Sequence, residues 1–129
     1  MRAGTYDVVS IVKRFDSAER VLVFENGRLE VITVGGKPIA KGSYGPGWRW
    51  SRTAGVARGG LPEHAGVVLS GRAKLQAEEG QEVDLTPGDF FHVTAGEDAW
   101  VVGYRPCEIL YLSGVDALIR QTEDPHHRR

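Results

Sequence analysis

The run Ala-Gly-Val-Val-Leu at residues 65–69 is apolar at every position. Successive side chains of a strand point to opposite faces, so a strand of this composition must be covered on both of them. The next segment alternates, with Ala73, Leu75 and Ala77 separated by polar side chains, as is typical of a half-exposed strand. Turn residues follow at 71–72, 79–81 and 87–89. The pattern predicts a strand that lies between an interior and a second sheet or subunit, followed by a hairpin.

Short strands bounded by turns continue along the rest of the chain. Strand candidates lie at residues 20–24, 29–34, 90–93, 99–104 and 107–112, and a short helix is predicted at 115–121. Seventeen glycines in 129 residues are about twice the usual share of roughly 7%. Glycine serves tight turns and costs helix stability, which favours an all-β chain. We expect one domain, 1–129, with a barrel core at about 20–113, an N-terminal arm at 1–19 and a C-terminal helix or tail at 114–129.

The charge pattern argues against several classes of partner. Sixteen basic and seventeen acidic residues leave a net charge of -1. The chain therefore lacks the excess of positive charge by which proteins bind nucleic acid or an anionic membrane. No stretch approaches ~20 consecutive apolar residues, and the first twelve residues lack a signal-peptide core. The lone Cys107 forms no disulfide framework and is predicted to be a buried, inert thiol. We therefore expect a cytoplasmic protein that binds neither nucleic acid nor membrane.

The order of glycines and turns resembles the cupin superfamily. When the closing glycine of the first cupin motif is placed on Gly71, its glutamate position falls on His64. The two histidine positions then fall on Arg58 and Gly60, or one residue earlier, and the histidine of the second motif falls on Ala99. Segments 46–51, 64–72 and 96–103 are similar to a group of small bacterial cupins of poorly defined function. The resemblance implies a single cupin jelly-roll barrel (a double-stranded β-helix), and a homodimer is the expected state.

The metal site of most cupin enzymes, three histidines and a glutamate, has no counterpart at the matching positions. Only His64 offers a ligand atom there, and a catalytic metal needs three or more protein ligands. An alternative set could combine His64 and His92 with a carboxylate such as Glu97, although nothing fixes that spacing. We therefore expect no cofactor, and a divalent metal stays open as the alternative.

The candidate catalytic residue is His64, which could act as a general acid or base beside His92 or Tyr111. It could equally be a core histidine bonded to a backbone carbonyl. Arg58 occupies a metal-ligand position and could hold an anionic ligand instead. Candidates for ligand binding are His64, Arg58, Trp50, His92, Trp100 and Tyr111.

Three functions remain open at this level, because one fold hosts unrelated activities. The first is a metal-independent module that binds a small anionic or aromatic molecule in the barrel. The second is an enzyme, either metal-dependent through unusual ligands or a metal-free epimerase or isomerase that uses His64. The third is an interaction domain whose barrel is filled, which a structure without a cavity beside His64 would favour.

Overall fold

The computed structural model describes residues 10–52 and 60–123. Nine strands and one helix lie wholly within these residues, together with a 3-10 turn at Phe15–Ser17 and a helical turn at residues 50–52. The elements are β1 (Arg20–Phe24), β2 (Gly27–Val34), β3 (Lys37–Tyr44), β4 (His64–Ser70), β5 (Ala73–Gln76), β6 (Glu82–Leu85), β7 (Phe90–Val93), β8 (Asp98–Val101), β9 (Cys107–Ser113) and α1 (Val115–Thr122). The prediction of an all-β chain with a short C-terminal helix is confirmed.

Two antiparallel sheets enclose the core. The large sheet has the strand order β1-β2-β3-β9-β4-β7, and the small sheet has the order β6-β5-β8. The last strand, β9, lies between β3 and β4, so it joins the N-terminal hairpins to the middle of the chain. One isolated bridge links Arg49 to Trp100 at the edge of β8.

Strand β4 shows why the run 65–69 is apolar on both faces. His64, Gly66 and Val68 face the interior and are buried. On the other face Val67 is half-buried, while Leu69 keeps 45% of its surface exposed. The predicted interior is therefore present, but the described residues leave the outer face of β4 only partly covered.

The chain before β1 contacts the outer face of the large sheet at β2 and β3. Residues 10–14 have no regular secondary structure, and the Lys13 ammonium bonds to Glu19 and to the Thr33 carbonyl. The ammonium of Lys41 on β3 lies 5.8 Å from the centre of the Phe15 ring. At the other end of the chain, Val115, Leu118 and Ile119 of α1 join the core.

The segment around Trp48 and Trp50 differs from the sequence-based interpretation. Two indoles spaced two apart would share one face of a strand, whereas here Arg49 forms a single bridge and Trp50 belongs to a helical turn at residues 50–52. Both indoles are nevertheless buried, at 7% and 3% exposure. Their burial follows from packing in the core, where the Tyr44 and Trp48 rings lie 4.3 Å apart, and not from strand alternation.

Gly60 and Gly66 mark close backbone approaches. A Cβ on Gly66 would lie 2.4 Å from the carbonyl oxygen of Leu110 on the neighbouring strand. A Cβ on Gly60, where φ is +106°, would lie 2.6 Å from the Gly96 backbone. Two backbone bonds, from Leu61 to the Glu97 carbonyl and from Gly96 to the Leu61 carbonyl, hold these segments together. The small size of both glycines brings backbones together here and leaves no space for a ligand at these two positions.

Candidate functional site

A small cavity of about 20 Å³ lies inside the barrel between the two sheets. A void of about 10–15 Å³ already accommodates one water molecule, so this one has room for a single water-sized group. Both sheets contribute to its walls, which are mainly apolar. The polar or reactive side chains that line it are Tyr44, Trp48, His64, Cys107 and Tyr111.

His64 begins β4, and strand alternation turns its ring into the barrel. The side chain is 3% exposed, and its Nδ1 lies 2.8 Å from the Pro62 carbonyl oxygen. Because a carbonyl only accepts hydrogen bonds, Nδ1 carries the proton and Nε2 of the neutral ring is left with a lone pair. Burial lowers the pKa of His64, and the bond to Pro62 opposes that shift. His64 is thus a buried, neutral imidazole whose tautomer is set by the backbone.

Two buried tyrosines form a hydroxyl pair in the same cavity. The Tyr44 and Tyr111 oxygens are 2.6 Å apart, and both residues are at most 5% exposed. Burial raises the pKa of both phenols, so both stay protonated at neutral pH. One hydroxyl donates to the other, and the second proton of the pair is available for another acceptor. The Tyr111 ring also contacts the His64 ring edge-on, with centroids 5.3 Å apart.

Trp48 contributes a donor without a partner. Its indole Nε1 is buried and makes no hydrogen bond to any residue within 10–52 or 60–123, and the same holds for Nε1 of Trp50. A buried donor that has lost its water costs about 1–3 kcal/mol unless an acceptor replaces it. Trp48 lines the cavity and Trp50 does not. Trp48 is therefore the one of these two tryptophans with an unpartnered donor on a side chain that lines the cavity.

Cys107 lies on the same wall as a protonated thiol. The residue is completely buried, and this burial raises the pKa of its thiol to about 11. A thiol with that pKa carries almost no thiolate at neutral pH, which is what a nucleophile would need. The geometry gives Cys107 a packing role.

The described part of the cavity wall contains no arginine or lysine. Arg58, the predicted anchor for an anion, lies outside the described residues. Arg49 is engaged elsewhere: its Nε donates to Asp98 at 2.9 Å, and its guanidinium lies 4.2 Å from the centre of the Trp100 ring. Trp100 therefore belongs to a half-buried surface cluster and not to the cavity.

His92 does not join His64. It is paired with Ala65 on β4, whereas His64 is paired with Val93, so the two imidazoles point to opposite faces of the sheet. The His92 Nε2 bonds to the Glu63 carboxylate at 2.8 Å on the exposed face. The proposed partnership of His64 with His92 is wrong, whereas the partnership with Tyr111, whose ring lies 5.3 Å from the His64 ring between centroids, stays a prediction.

The donor set does not fit the metal site of cupin enzymes. His64 and Cys107 are the two classical metal-binding side chains on the described cavity wall, fewer than the three that a catalytic site needs. Glu97, the suggested third ligand, accepts hydrogen bonds from Thr94 in its own turn. No group of three His, Cys, Asp or Glu residues that could hold a metal occurs in the described ranges.

Sequence reasoning missed Tyr44, Trp48 and Cys107 as neighbours of His64. Each lies on or beside a strand whose inward face can be read only once the pairing is known, since β3 and β9 meet across 63 residues of chain at Tyr44 and Cys107. A weak signal was present, because Cys107, Ile109 and Tyr111 share one face of a predicted strand.

Comparisons with known proteins identify the fold. No family model and no curated protein sequence matches the chain. Among solved structures, ectoine synthase from P. lautus is similar, with a TM-score of 0.59, 11% identity and coverage of 88% of this chain and 87% of the synthase. The polyketide cyclase RemF from Streptomyces resistomycificus gives a TM-score of 0.56 at 13% identity, covering 80% of this chain and 78% of the cyclase.

A third similar structure is a sugar phosphate isomerase of the cupin superfamily from Silicibacter pomeroyi. It has a TM-score of 0.52 and 16% identity, and the match covers 76% of this chain and 71% of the isomerase. Identities this low carry the fold and not the activity. Within the described residues, no helix is long and apolar enough to span a membrane. Two antiparallel sheets around a buried core, matched over most of their length by these structures, show that this chain has the cupin fold.

Proposed function

We propose that the barrel binds a small molecule through a hydrogen-bond acceptor of that molecule, without a metal ion. The observation that carries the proposal is the unpartnered indole N–H of Trp48 at a cavity that also contains His64 and the Tyr44–Tyr111 hydroxyl pair. Buried polar groups are normally satisfied, and unsatisfied ones in a native structure call for an explanation. A hydrogen-bond acceptor on a bound ligand would explain the unpartnered N–H of Trp48.

The polar groups define what the ligand must present. The Trp48 N–H and the free proton of the tyrosine pair are donors, and the Nε2 lone pair of His64 is an acceptor. A carbonyl or amide oxygen would satisfy a donor, and an adjacent N–H or O–H could reach the imidazole. Primary amides and hydroxy-carbonyl compounds carry both groups on neighbouring atoms.

The charge of the site favours a neutral ligand. His64 is neutral at pH 7 because burial lowers its pKa, and the described wall has no cation. A carboxylate buried there would lose its hydration without gaining a counter-charge, which is costly. Arg58 is the residue that would reverse this preference, so the anionic ligand of the sequence-based hypothesis depends on it.

The size of the cavity limits what enters without movement. About 20 Å³ accommodates one water-sized group such as the ligand's oxygen, so even acetamide enters only if wall side chains move slightly. An aromatic ring would have to displace apolar side chains of the wall, and its affinity would fall by the cost of that rearrangement. Binding of small amides should therefore exceed binding of their aromatic analogues.

The test is a ligand titration with four probes: acetamide, benzamide, acetate and benzoate. Saturation-transfer NMR on the full chain measures each dissociation constant at pH 7.5. Trp48→Phe keeps an aromatic ring and removes the donor, and Trp100→Phe is the matched control at the surface. We expect acetamide to bind, and Trp48→Phe to weaken it about tenfold through the loss of one buried hydrogen bond.

Three results would contradict the proposal. Acetamide that fails to bind saturably would favour the filled barrel of an interaction domain. Equal weakening by both tryptophan variants would show that the Trp48 donor is not used. Tighter binding of acetate, removed by Arg58→Gln, would show that the ligand is anionic. Elemental analysis before and after chelator treatment checks the metal-free premise, since binding should survive chelation.

Metal-free acid–base catalysis by His64 is the second candidate. The Pro62 carbonyl fixes the tautomer that exposes Nε2 as the base, and the Tyr111 hydroxyl lies on the same wall as a proton donor. Such a site would catalyse the exchange with solvent of protons on the carbon atom next to a carbonyl group. Exchange of acetone methyl protons in D2O, followed by NMR, should accelerate with wild-type protein and fall to the uncatalysed rate with His64→Gln. An unchanged rate with His64→Gln would exclude this role.

A further inference from the structure

A surface groove of about 340 Å³ lies where two turns of the chain meet at one end of the small sheet. One turn, residues 71–72, directly precedes β5, and the other, residues 103–105, connects β8 to β9. The Val102 amide donates to the Arg72 carbonyl at 3.0 Å, which continues the β5–β8 pairing and holds the turns side by side. This two-turn groove is lined by Gly71, Arg72, Val102, Gly103, Tyr104 and Arg105.

Close packing fixes the backbone of the groove. Gly71 has φ +77°, and a Cβ on it would lie 2.2 Å from the Pro106 carbonyl oxygen and 2.6 Å from Cα of Cys107. The first turn therefore packs directly on the chain segment that ends the second turn. Because the two backbones are in contact, the points from which Arg72 and Arg105 extend are set before any ligand arrives, which lowers the cost of ordering them.

The groove wall carries two cations and no carboxylate. Arg72 and Arg105 are both exposed, and neither forms an ion pair with an acidic residue of the described ranges. Glu108 is the acidic residue closest to Arg105 along the chain. It lies on β9, opposite Ser43 and Ser70, and does not line the groove. Two guanidinium groups thus face a space in which no carboxylate of the wall neutralises them.

A neighbouring depression of about 320 Å³ shows the opposite arrangement. It shares Arg72 with the two-turn groove, and its second cation is Lys74. The Lys74 ammonium lies 3.1 Å from a Glu82 carboxylate oxygen and 3.7 Å from one of Asp84, which itself lines the depression. An anion in the depression would meet a neutralised ammonium and a like charge. The two-turn groove is therefore the better site for an anion.

Tyr104 adds a flat apolar surface to the same wall. The residue is 97% exposed, so its ring packs against almost nothing within residues 10–52 and 60–123. A planar ring of a ligand could stack on the phenol and remove both faces from water. Charge and ring together define a ligand that joins an anionic group to an aromatic ring.

We propose that the two-turn groove binds an aromatic phosphate monoester, with the phosphate between Arg72 and Arg105 and the ring on Tyr104. The planar guanidinium donates paired hydrogen bonds to phosphate oxygens. A phosphate monoester carries about -1.5 to -2 charges at pH 7, which matches two arginines better than the single charge of a carboxylate. The groove volume of about 340 Å³ lies within the range of about 300–1,000 Å³ that is usual for small-molecule sites. Among the described residues none lines both this groove and the barrel cavity, so the inference does not depend on the proposed barrel ligand.

The experiment titrates the full chain, labelled with ¹⁵N, and follows its amide resonances by NMR at low salt. The probes are phenyl phosphate, cyclohexyl phosphate, which has the same charge without an aromatic ring, and benzoate, which has the ring with a carboxylate. Arg72→Gln and Arg105→Gln each remove one exposed cation, and Tyr104→Leu removes the aromatic ring. Arg120→Gln is the matched control, since Arg120 is an exposed arginine on α1, which follows the opposite end of β9.

We expect phenyl phosphate to shift the amide resonances of residues 71–72 and 102–105 with a dissociation constant on the order of 1 mM. Arg72→Gln and Arg105→Gln should each raise that constant about tenfold, whereas Arg120→Gln should change it less than about twofold. Cyclohexyl phosphate should bind about three- to tenfold more weakly than phenyl phosphate, and Tyr104→Leu should abolish this difference. Benzoate should bind more weakly than phenyl phosphate.

Four results would overturn the proposal. The first is no saturable shift with phenyl phosphate up to about 20 mM. The second is equal weakening by Arg72→Gln and Arg120→Gln, which would show a general charge effect. The third is benzoate or cyclohexyl phosphate binding as tightly as phenyl phosphate, because the phosphate or the ring would then not be recognised. The fourth is shifts confined to the barrel around His64, which would place the bound anion elsewhere.

Discussion

Replacing Tyr44 and Tyr111 by phenylalanine, singly and together, measures the free energy that the barrel loses when a buried hydroxyl has no hydrogen-bond partner. Their hydroxyl oxygens are 2.6 Å apart, and both side chains are at least 95% buried. A single substitution removes one hydroxyl and leaves the other without its partner. The double substitution removes both, so no polar group is stranded.

The single and the double substitutions differ in how much they lower the free energy of unfolding. Leaving a buried hydroxyl unsatisfied costs about 1–3 kcal/mol, whereas one hydrogen bond is worth a net value of about 1 kcal/mol. Each single variant should therefore lose about 2 kcal/mol in the free energy of unfolding. The double variant should also lose no more than about 2 kcal/mol, which makes the coupling energy about 2 kcal/mol.

Urea unfolding followed by circular dichroism measures all four proteins at pH 7.5, with a common slope taken as evidence that the two-state treatment holds. Additive losses below about 0.5 kcal/mol for each single variant would refute the reasoning. That result would mean that water in the adjacent cavity of about 20 Å³ satisfies whichever hydroxyl remains.

Other predictions concern single positions. Since burial lowers the pKa of His64, the unfolded chain binds that proton more readily. Stability should therefore fall as the pH drops below about 6.5, and His64→Gln should remove that part of the dependence in urea titrations at pH 5.5 and 7.5. Gly66→Ala should cost about 2–3 kcal/mol because its Cβ would strike the Leu110 carbonyl. Thermal melts should show this loss, and Gly35→Asn, at an open position with φ +58°, should leave the melting temperature nearly unchanged. Asp98→Ala should cost about 1–3 kcal/mol, since its carboxylate accepts hydrogen bonds from Arg49 and from two backbone N–H groups; an unchanged melting temperature would contradict this.

Local patterns were sufficient for most of the fold. The alternation at Ala73 and Leu75 and the turn residues at 71–72 and 79–81 predicted strands and a hairpin that the structure contains, because period and turn chemistry are properties of neighbouring residues. The interpretation of the segment at Trp48 as a strand was wrong because it, too, relied on neighbouring residues alone. Two large apolar residues spaced two apart fit a strand, and only packing against Tyr44 shows that burial arises without one.

The candidate site depended on information that a single sequence does not hold. Strand alternation by itself separates Glu63 from His64, and the structure has His64 buried and Glu63 on the exposed face. Whether His92 joined His64 depended on the register between β4 and β7, and a shift of one residue would have reversed the answer. The orphaned indole N–H of Trp48 depends on three-dimensional neighbours alone.

The position of β9 between β3 and β4 has a consequence for synthesis of the protein. A ribosome that has completed residues 20–93 has supplied five of the six strands of the large sheet, but the strand that joins β1–β3 to β4 and β7 is still to come. Until Cys107–Ser113 emerges, β3 and β4 each present an open edge, the state in which strands pair wrongly with other chains. Closing the sheet late over long sequence separations also makes folding slow. Nascent chains that stop before residue 107 should therefore be the species that most need a chaperone.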